Sequence, residues 1–223
     1  MEFGVDYSDE KHERQTGRGA EFGSNVILMG ATGAGKTTAG RFLARLIGYG
    51  FVDLDATIEA REKKSVEAIF ASQGEPYFRQ LEQELIARLA PVRTHVIALG
   101  GGAAMDDESW EILQHMGTTV WINTPPEEIA RRLVADDDEL KKRPLLAELL
   151  GDKDKEQRLK QLTDRVKALI GNRQGRYKQA RLVVSDSFST PETTAQLIKE
   201  SLVKEGFLTF PPDHRPYDRW RVL

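Results

Sequence analysis

The sequence predicts an α/β fold, a central parallel β-sheet flanked by helices. Three observations carry this reading. From about residue 25 to 205, short apolar runs alternate with segments of helical period, the pattern of βαβ units feeding a parallel sheet. The first apolar run, Val26-Ile27-Leu28-Met29, leads directly into Gly30-Ala31-Thr32-Gly33-Ala34-Gly35-Lys36-Thr37, which fits the phosphate-binding pattern G-x-x-x-x-G-K-[ST] at every fixed position. Finally, 223 residues at 39% hydrophobic content suit one domain with one ordinary core.

Taken in order, residues 1–24 hold few apolar residues and no periodicity, and read as a disordered leader or extension. The domain is expected over 25–205. Residues 26–29 form the first strand. Helix 37–47 follows, its Ala39, Phe42, Leu43, Leu46 and Ile47 at helical spacing. A strand at 50–53 precedes helical patterns at 57–62, 65–72 and 75–89. The run Val96-Ile97-Ala98-Leu99 belongs to a strand at 95–99. A helix at 107–114, a strand at 119–123 and a helix at 126–134 come next. A long, highly charged stretch then contains a helix at 155–173, before a strand at 182–185 and a helix at 191–204. The extension 206–223 carries Pro211, Pro212, Pro216 and Trp220 and is expected to run over the surface.

Composition excludes several classes of function. A net charge of −3 makes no electrostatic case for nucleic acid or an anionic membrane. There is no cysteine, hence no disulfide framework or thiol metal site, which fits a reducing compartment. No apolar run approaches membrane-spanning length, and residues 1–24 lack the hydrophobic region of a signal peptide. The expectation is a cytoplasmic protein. His12, His95, His115 and His214 are scattered, without metal-ligand spacing. Trp110, Trp121 and Trp220 read as packing residues. Lys63-Lys64 and the run Asp136-Asp137-Asp138-Glu139 read as solvated surface.

Chemistry concentrates in four places. Strand, glycine loop and helix aim backbone N–H groups and a helix N-terminus at one point, an anion site. Lys36 can there reach the β- and γ-phosphates of a nucleotide, and the Thr37 hydroxyl can ligate Mg²⁺. Phe51-Val52-Asp53-Leu54-Asp55 ends the second strand, and strand alternation would point Asp53 and Asp55 the same way. One could hold Mg²⁺ and the other accept a proton from an attacking hydroxyl; an acidic turn capping the helix at Thr57 fits that dipeptide equally well. Gly100-Gly101-Gly102 follows the third strand and leaves backbone open to a close approach, or is a plain strand-to-helix turn. Arg79 and Glu82, three apart on a helix, share a face and by themselves fit a surface ion pair.

As an ordered set, these residues resemble the shikimate kinase family over roughly 25–205. The motifs are the phosphate loop, Asp53-Leu54-Asp55, Gly74-Glu75 with Phe78-Arg79 and Glu82, Gly100-Gly101-Gly102, Arg143-Pro144-Leu145-Leu146, and Arg173 four residues before Tyr177. The resemblance implies a P-loop kinase fold with a mobile lid, and transfer of the ATP γ-phosphate to the 3-hydroxyl of shikimate on the way to chorismate. ATP would be held by Gly33, Ala34, Gly35, Lys36, Thr37 and Thr38, with Arg132 and Pro191 about the adenine. Thr37 and Asp53 would serve Mg²⁺. Asp55 would bind the substrate hydroxyls and act as base. Arg79 and Arg173 would grip the carboxylate, Glu82 would orient one of those arginines, and backbone at Gly101 and Gly102 would line the ring. Arg143 would start the lid and reach the phosphates. The implied partners are ATP and shikimate, with no nucleic acid or membrane, for a monomer.

The chain departs from this family at the lid's end. Arg-x-Pro-Leu-Tyr is replaced by Arg173-Gln174-Gly175-Arg176-Tyr177, which makes Arg176 a competing cation. Two other readings stay open. One is a kinase for another small metabolite, such as gluconate or a nucleotide; the other is a ligand-sensing domain without catalysis. The Asp55–Arg79–Arg173 set argues against the first, since a polyol without a carboxylate needs no pair of arginine forks. Intact Lys36, Thr37, Asp53 and Asp55 argue against the second.

Overall fold

The computed structural model describes residues 24–137, 140, 143–147, 154–185 and 190–208. The expected leader, apart from Ser24, and the extension beyond Leu208 lie outside the described residues, as do His12, His214 and Trp220. The elements in order are β1 (Asn25–Met29), α1 (Lys36–Ile47), β2 (Gly50–Asp53), α2 (Leu54–Glu62), α3 (Val66–Leu89), β3 (His95–Ala98), a 3₁₀ turn (Ala103–Met105) and α4 (Asp107–Met116). They continue with β4 (Gly117–Asn123), α5 (Pro126–Ala135), the short α6 (Pro144–Ala147), α7 (Lys155–Tyr177), β5 (Leu182–Ser185) and α8 (Pro191–Lys204).

All five strands pair in parallel, in the order β2-β3-β1-β4-β5. β1 is buried along its whole length, as a strand covered by helices on both faces must be, and so reads as a continuous apolar run. On one face, Ile27, Met29 and Ile97 pack with Phe78 and Ile86 of α3 and Leu113 of α4. On the other, Val26, Leu28 and Val120 pack with Leu43 and Ile47 of α1 and Ile198 and Leu202 of α8. A third cluster, with Ala34, Ile129, Leu146 and Leu162, seats the phosphate loop against α5, α6 and α7. From β1 the chain crosses to β2 on one side, and from β4 to β5 on the other. Between those two strands the connections diverge, which opens the crevice where such sheets bind ligands.

Several element ends differ from expectation, each for a local reason. The Asp53 carboxylate accepts from the Ala56 N–H at 3.0 Å, so α2 starts at Leu54, ahead of the expected residue 57. The helices expected at 65–72 and 75–89 run together as α3 across a kink at Gly74, φ 82 and ψ 171. α7 continues to Tyr177, so the described latter half of the expected lid is one helix; its beginning is described only at Arg143–Ala147. Asp137 is exposed, as read, and its carboxylate is also ion-paired at 2.9 Å with the buried Arg158, which helps fasten α7. Asn25, unremarked in the sequence, is fully buried. Its amide donates to Val92 O at 2.6 Å and Met116 O at 3.2 Å, and its Oδ1 accepts from His95 N at 3.0 Å. Trp110 and Trp121 are buried packing residues, and Lys63 and Lys64 are exposed, as expected.

Candidate active site

The phosphate loop wraps the carboxyl end of β1 and turns into α1 at Gly35, whose φ of 88 is a backbone conformation that glycine adopts freely. Lys36, the first residue of α1, folds back and donates to Gly30 O at 3.0 Å and Ala31 O at 2.8 Å. Burial lowers its pKa to about 8; Asp55 and Asp53 pull it up, Arg143 and Arg173 push it down. The ammonium is therefore mainly charged at neutral pH. Beside it the Thr37 hydroxyl donates to Asp53 Oδ2 at 2.6 Å.

Asp53 and Asp55 do come together in this cleft, but strand alternation is not the cause. β2 ends at Asp53, which caps α2, and Asp55 sits in the first helical turn. The turn from strand into helix swings both carboxylates toward Lys36. Asp55 Oδ1 is buried with no hydrogen-bond partner. Burial first, and Asp53 second, raise its pKa above the usual carboxylate value.

The cleft encloses about 500 Å³, within the ordinary range for a small-ligand site. Gly33, Gly35, Thr38, Gly101, Arg132 and Pro191 all stand on its wall. Arg132 Nε is held 3.1 Å from Glu128 Oε1. Arg143 also lines the cleft, and its Nη1 donates to Thr32 Oγ1 at 2.8 Å. Ala34 is the exception: its methyl is buried under α5, and its carbonyl accepts from the Thr124 hydroxyl at 3.2 Å.

Arg79, Glu82, Gly102 and Arg173 line a second hollow of about 380 Å³, parted from the first by the glycine loop. The triplet is crowded rather than open. A Cβ on Gly100 would meet Glu82 Oε1 and, at 2.6 Å, Asp55 Oδ1; one on Gly102 would lie 2.6–2.8 Å from the Arg79 guanidinium. Gly101 O accepts from Arg173 Nη1 and from the Tyr177 hydroxyl, both at 2.9 Å. The three glycines thus let four side chains, Asp55, Arg79, Glu82 and Arg173, converge on one backbone.

The Arg79–Glu82 pair is no surface ion pair. Glu82 is 2% exposed; its Oε2 accepts from Arg79 Nη1 at 2.5 Å, while its buried Oε1 has no partner. Burial lifts the Glu82 pKa to about 7, although Arg79 opposes the rise. Burial disfavours the Arg79 charge, but Glu82 and Glu75 more than offset it and raise its pKa. Arg176 lies elsewhere, paired with Asp107, which leaves Arg173 as the arginine of α7 at the glycine loop. Sequence reasoning missed Thr32 as the partner of Arg143, and Tyr177 as a support of the glycine loop. It also missed Glu75, which accepts from Arg79 Nη2 at 2.6 Å; that pair carries an i,i+4 spacing that could have revealed it. Among the described residues no cluster of three or more His, Cys, Asp or Glu could hold a metal, and no helix is long and apolar enough to cross a membrane.

Comparison with known proteins agrees with this geometry. The shikimate kinase family model matches residues 32–203. The shikimate kinase of Thermosynechococcus vestitus is 39% identical over 181 residues, which is 81% of this chain and 90% of that protein. The shikimate kinase of Chloroherpeton thalassium is 36% identical over 160 residues, 72% of this chain and 82% of that one. Among solved structures, shikimate kinase from Acinetobacter baumannii in complex with shikimate superposes with a TM-score of 0.71 at 30% identity, covering 81% of this chain and 93% of that chain. A family model spanning the sheet's helices and glycine loops, with relatives matched over most of their length, places the chain: it belongs to the shikimate kinase family.

Proposed function

We propose that this protein is a shikimate kinase, transferring the γ-phosphate of ATP to the 3-hydroxyl of shikimate to give shikimate 3-phosphate and ADP. One observation carries the reading beyond family membership. The glycine loop stands between a cleft floored by a phosphate loop and two carboxylates and a hollow walled by two arginines. A substrate with a hydroxyl at one end and a carboxylate at the other would lie along that loop, its two ends toward the two cavities.

In this reading the substrate hydroxyl attacks the γ-phosphorus in line. An O–P bond forms, the bond to the bridging oxygen of ADP breaks, and the hydroxyl proton passes to Asp55. An elevated carboxylate pKa suits that transfer. Lys36 and Arg143 meet the charge on the transferring oxygens. Gly33, Gly35, Thr37 and Thr38 cradle the phosphates, and Arg132 and Pro191 flank the adenine. Arg79 and Arg173 grip the carboxylate through paired N–H donors. Gly101 and Gly102 line the ring, and Glu82 holds Arg79. Thr37 Oγ1 and Asp53 Oδ2, two hard oxygen donors 2.6 Å apart, suit Mg²⁺, which takes few protein ligands and keeps the rest as water and phosphate. Bound there, it would neutralise charge on the phosphate oxygens. The net charge of −3 and the absence of cysteine support a cytoplasmic enzyme without nucleic-acid or membrane partners.

The test is ADP release measured with ATP and Mg²⁺, with and without shikimate, against gluconate and a nucleoside monophosphate as rival acceptors. Shikimate is expected to stimulate release most. Arg79→Ala should lower kcat/KM for shikimate by roughly 30-fold or more while nucleotide affinity holds. Faster turnover of either rival acceptor, or an indifferent Arg79→Ala, would overturn the assignment.

A further inference from the structure

Arg176 stands at the departure from the family's lid ending, and the structure gives it a definite place outside the cleft. Its guanidinium lies over the Trp110 ring, with Cζ 5.2 Å from the centroid. Its Nη2 is ion-paired with Asp107 in the first turn of α4, and its Nη1 donates to Gln179 Oε1 at 3.4 Å. Trp110 is a buried member of the main core, so the ring is a fixed anvil for the cation. One turn back on α7 is Arg173, the arginine that reaches Gly101 O.

The helix around Arg173 is intrinsically weak. Gly171 and Gly175 flank it, and a Cβ on either would meet nothing within 4 Å. Close packing therefore does not require these glycines, while each lowers helix stability relative to alanine. Toward its end this stretch is tied to the rest of the domain by Tyr177, through Gly101 O, and by Arg176, through Asp107 and Trp110 of α4.

We infer that Arg176 is a positioning residue for Arg173: by clamping the glycine-flanked end of α7 onto Trp110 and Asp107, it holds the Arg173 guanidinium at the glycine loop. The inference rests on the proposed reading of Arg173 as a carboxylate grip. Arg176 touches no substrate and acts through Arg173 alone. Its signature is thus weaker substrate binding without a slower chemical step.

The experiment is steady-state kinetics on Arg176→Ala, Arg176→Lys, Arg173→Ala and the Arg173→Ala/Arg176→Ala double variant, with melting temperatures alongside. Arg176→Ala is expected to raise the KM for shikimate about tenfold, a difference of about 1.4 kcal/mol, and to leave kcat and the KM for ATP within about twofold. Arg176→Lys keeps a cation over the ring and should recover much of the loss. Adding Gly175→Ala to Arg176→Ala, which stiffens the helix, should recover part of it. In the Arg173→Ala background, Arg176→Ala should add nothing, because residues acting through one another are not additive. An Arg176→Ala variant that melts lower with an unchanged KM for shikimate, or effects that add in the double variant, would overturn the inference while leaving the kinase reading intact. A wild type that does not use shikimate overturns that reading, and this inference with it.

Discussion

Lys36 is held within hydrogen-bond reach of two loop carbonyls and within the field of two carboxylates and two arginines. In the proposed reading it meets phosphate charge. Lys36→Ala should cut turnover by about 10²-fold or more with the melting temperature nearly unchanged; near-normal turnover would sink the phosphate-loop assignment. Glu82 makes a prediction about stability. Its folded pKa of about 7 lies above that of an unfolded glutamate, so the folded state binds the extra proton. That contribution is fully present below the unfolded pKa and is lost as pH rises through about 7. The ionised form then costs on the order of 3 kcal/mol. The unfolding free energy of Glu82→Gln minus that of the wild type should therefore grow as pH rises from 5 to 8, measured by urea unfolding. A difference that stays flat with pH would mean that Glu82 is ionised throughout.

At the scale of elements, function depends on how closely chains approach at the glycine loop between β3 and the 3₁₀ turn. A methyl at residue 102 would overlap the Arg79 guanidinium, 2.6–2.8 Å from its atoms, and the guanidinium must then shift from its place beside the loop. Gly102→Ala should raise the KM for shikimate by about tenfold or more and leave the KM for ATP unchanged, since residue 102 lies outside the larger cleft. Equal damage to both would mean that the loop serves the nucleotide instead. The short α6 works differently. Leu146 is fully buried with Leu162 and Ile129, and this apolar seat brings Arg143 to Thr32 across 111 positions of sequence.

For the whole molecule, the three apolar clusters of the described residues are built from Val26 onward, and residues 1–24 are poor in apolar side chains by sequence. Deleting residues 1–24 should leave melting temperature and kcat/KM almost unchanged; a drop of several degrees would show that the segment docks on the domain. Much of this architecture was legible in advance. The five strands were placed within one or two residues because apolar runs ended by turn residues fit buried parallel strands. The phosphate loop was legible because its chemistry is local, glycines and a lysine at fixed spacing on one turn.

The sequence by itself determined the fold class and the phosphate-loop motif, because those follow from local periodicity and short-range spacing, and its resemblance to a family named a candidate set of residues for the chemistry. Only the tertiary structure decided how they meet. Asp53 and Asp55 share the cleft through a helix cap, since the Ala56 N–H competes for the carboxylate where the strand ends. Glu82 is buried, and its pKa raised, because α3 packs it against Gly100, and burial is a property of neighbours far along the chain. Arg173 and Arg176 are parted by a tryptophan more than sixty residues away, which lies under Arg176: helical period gives an arginine its angle, but only the packed core says what lies there.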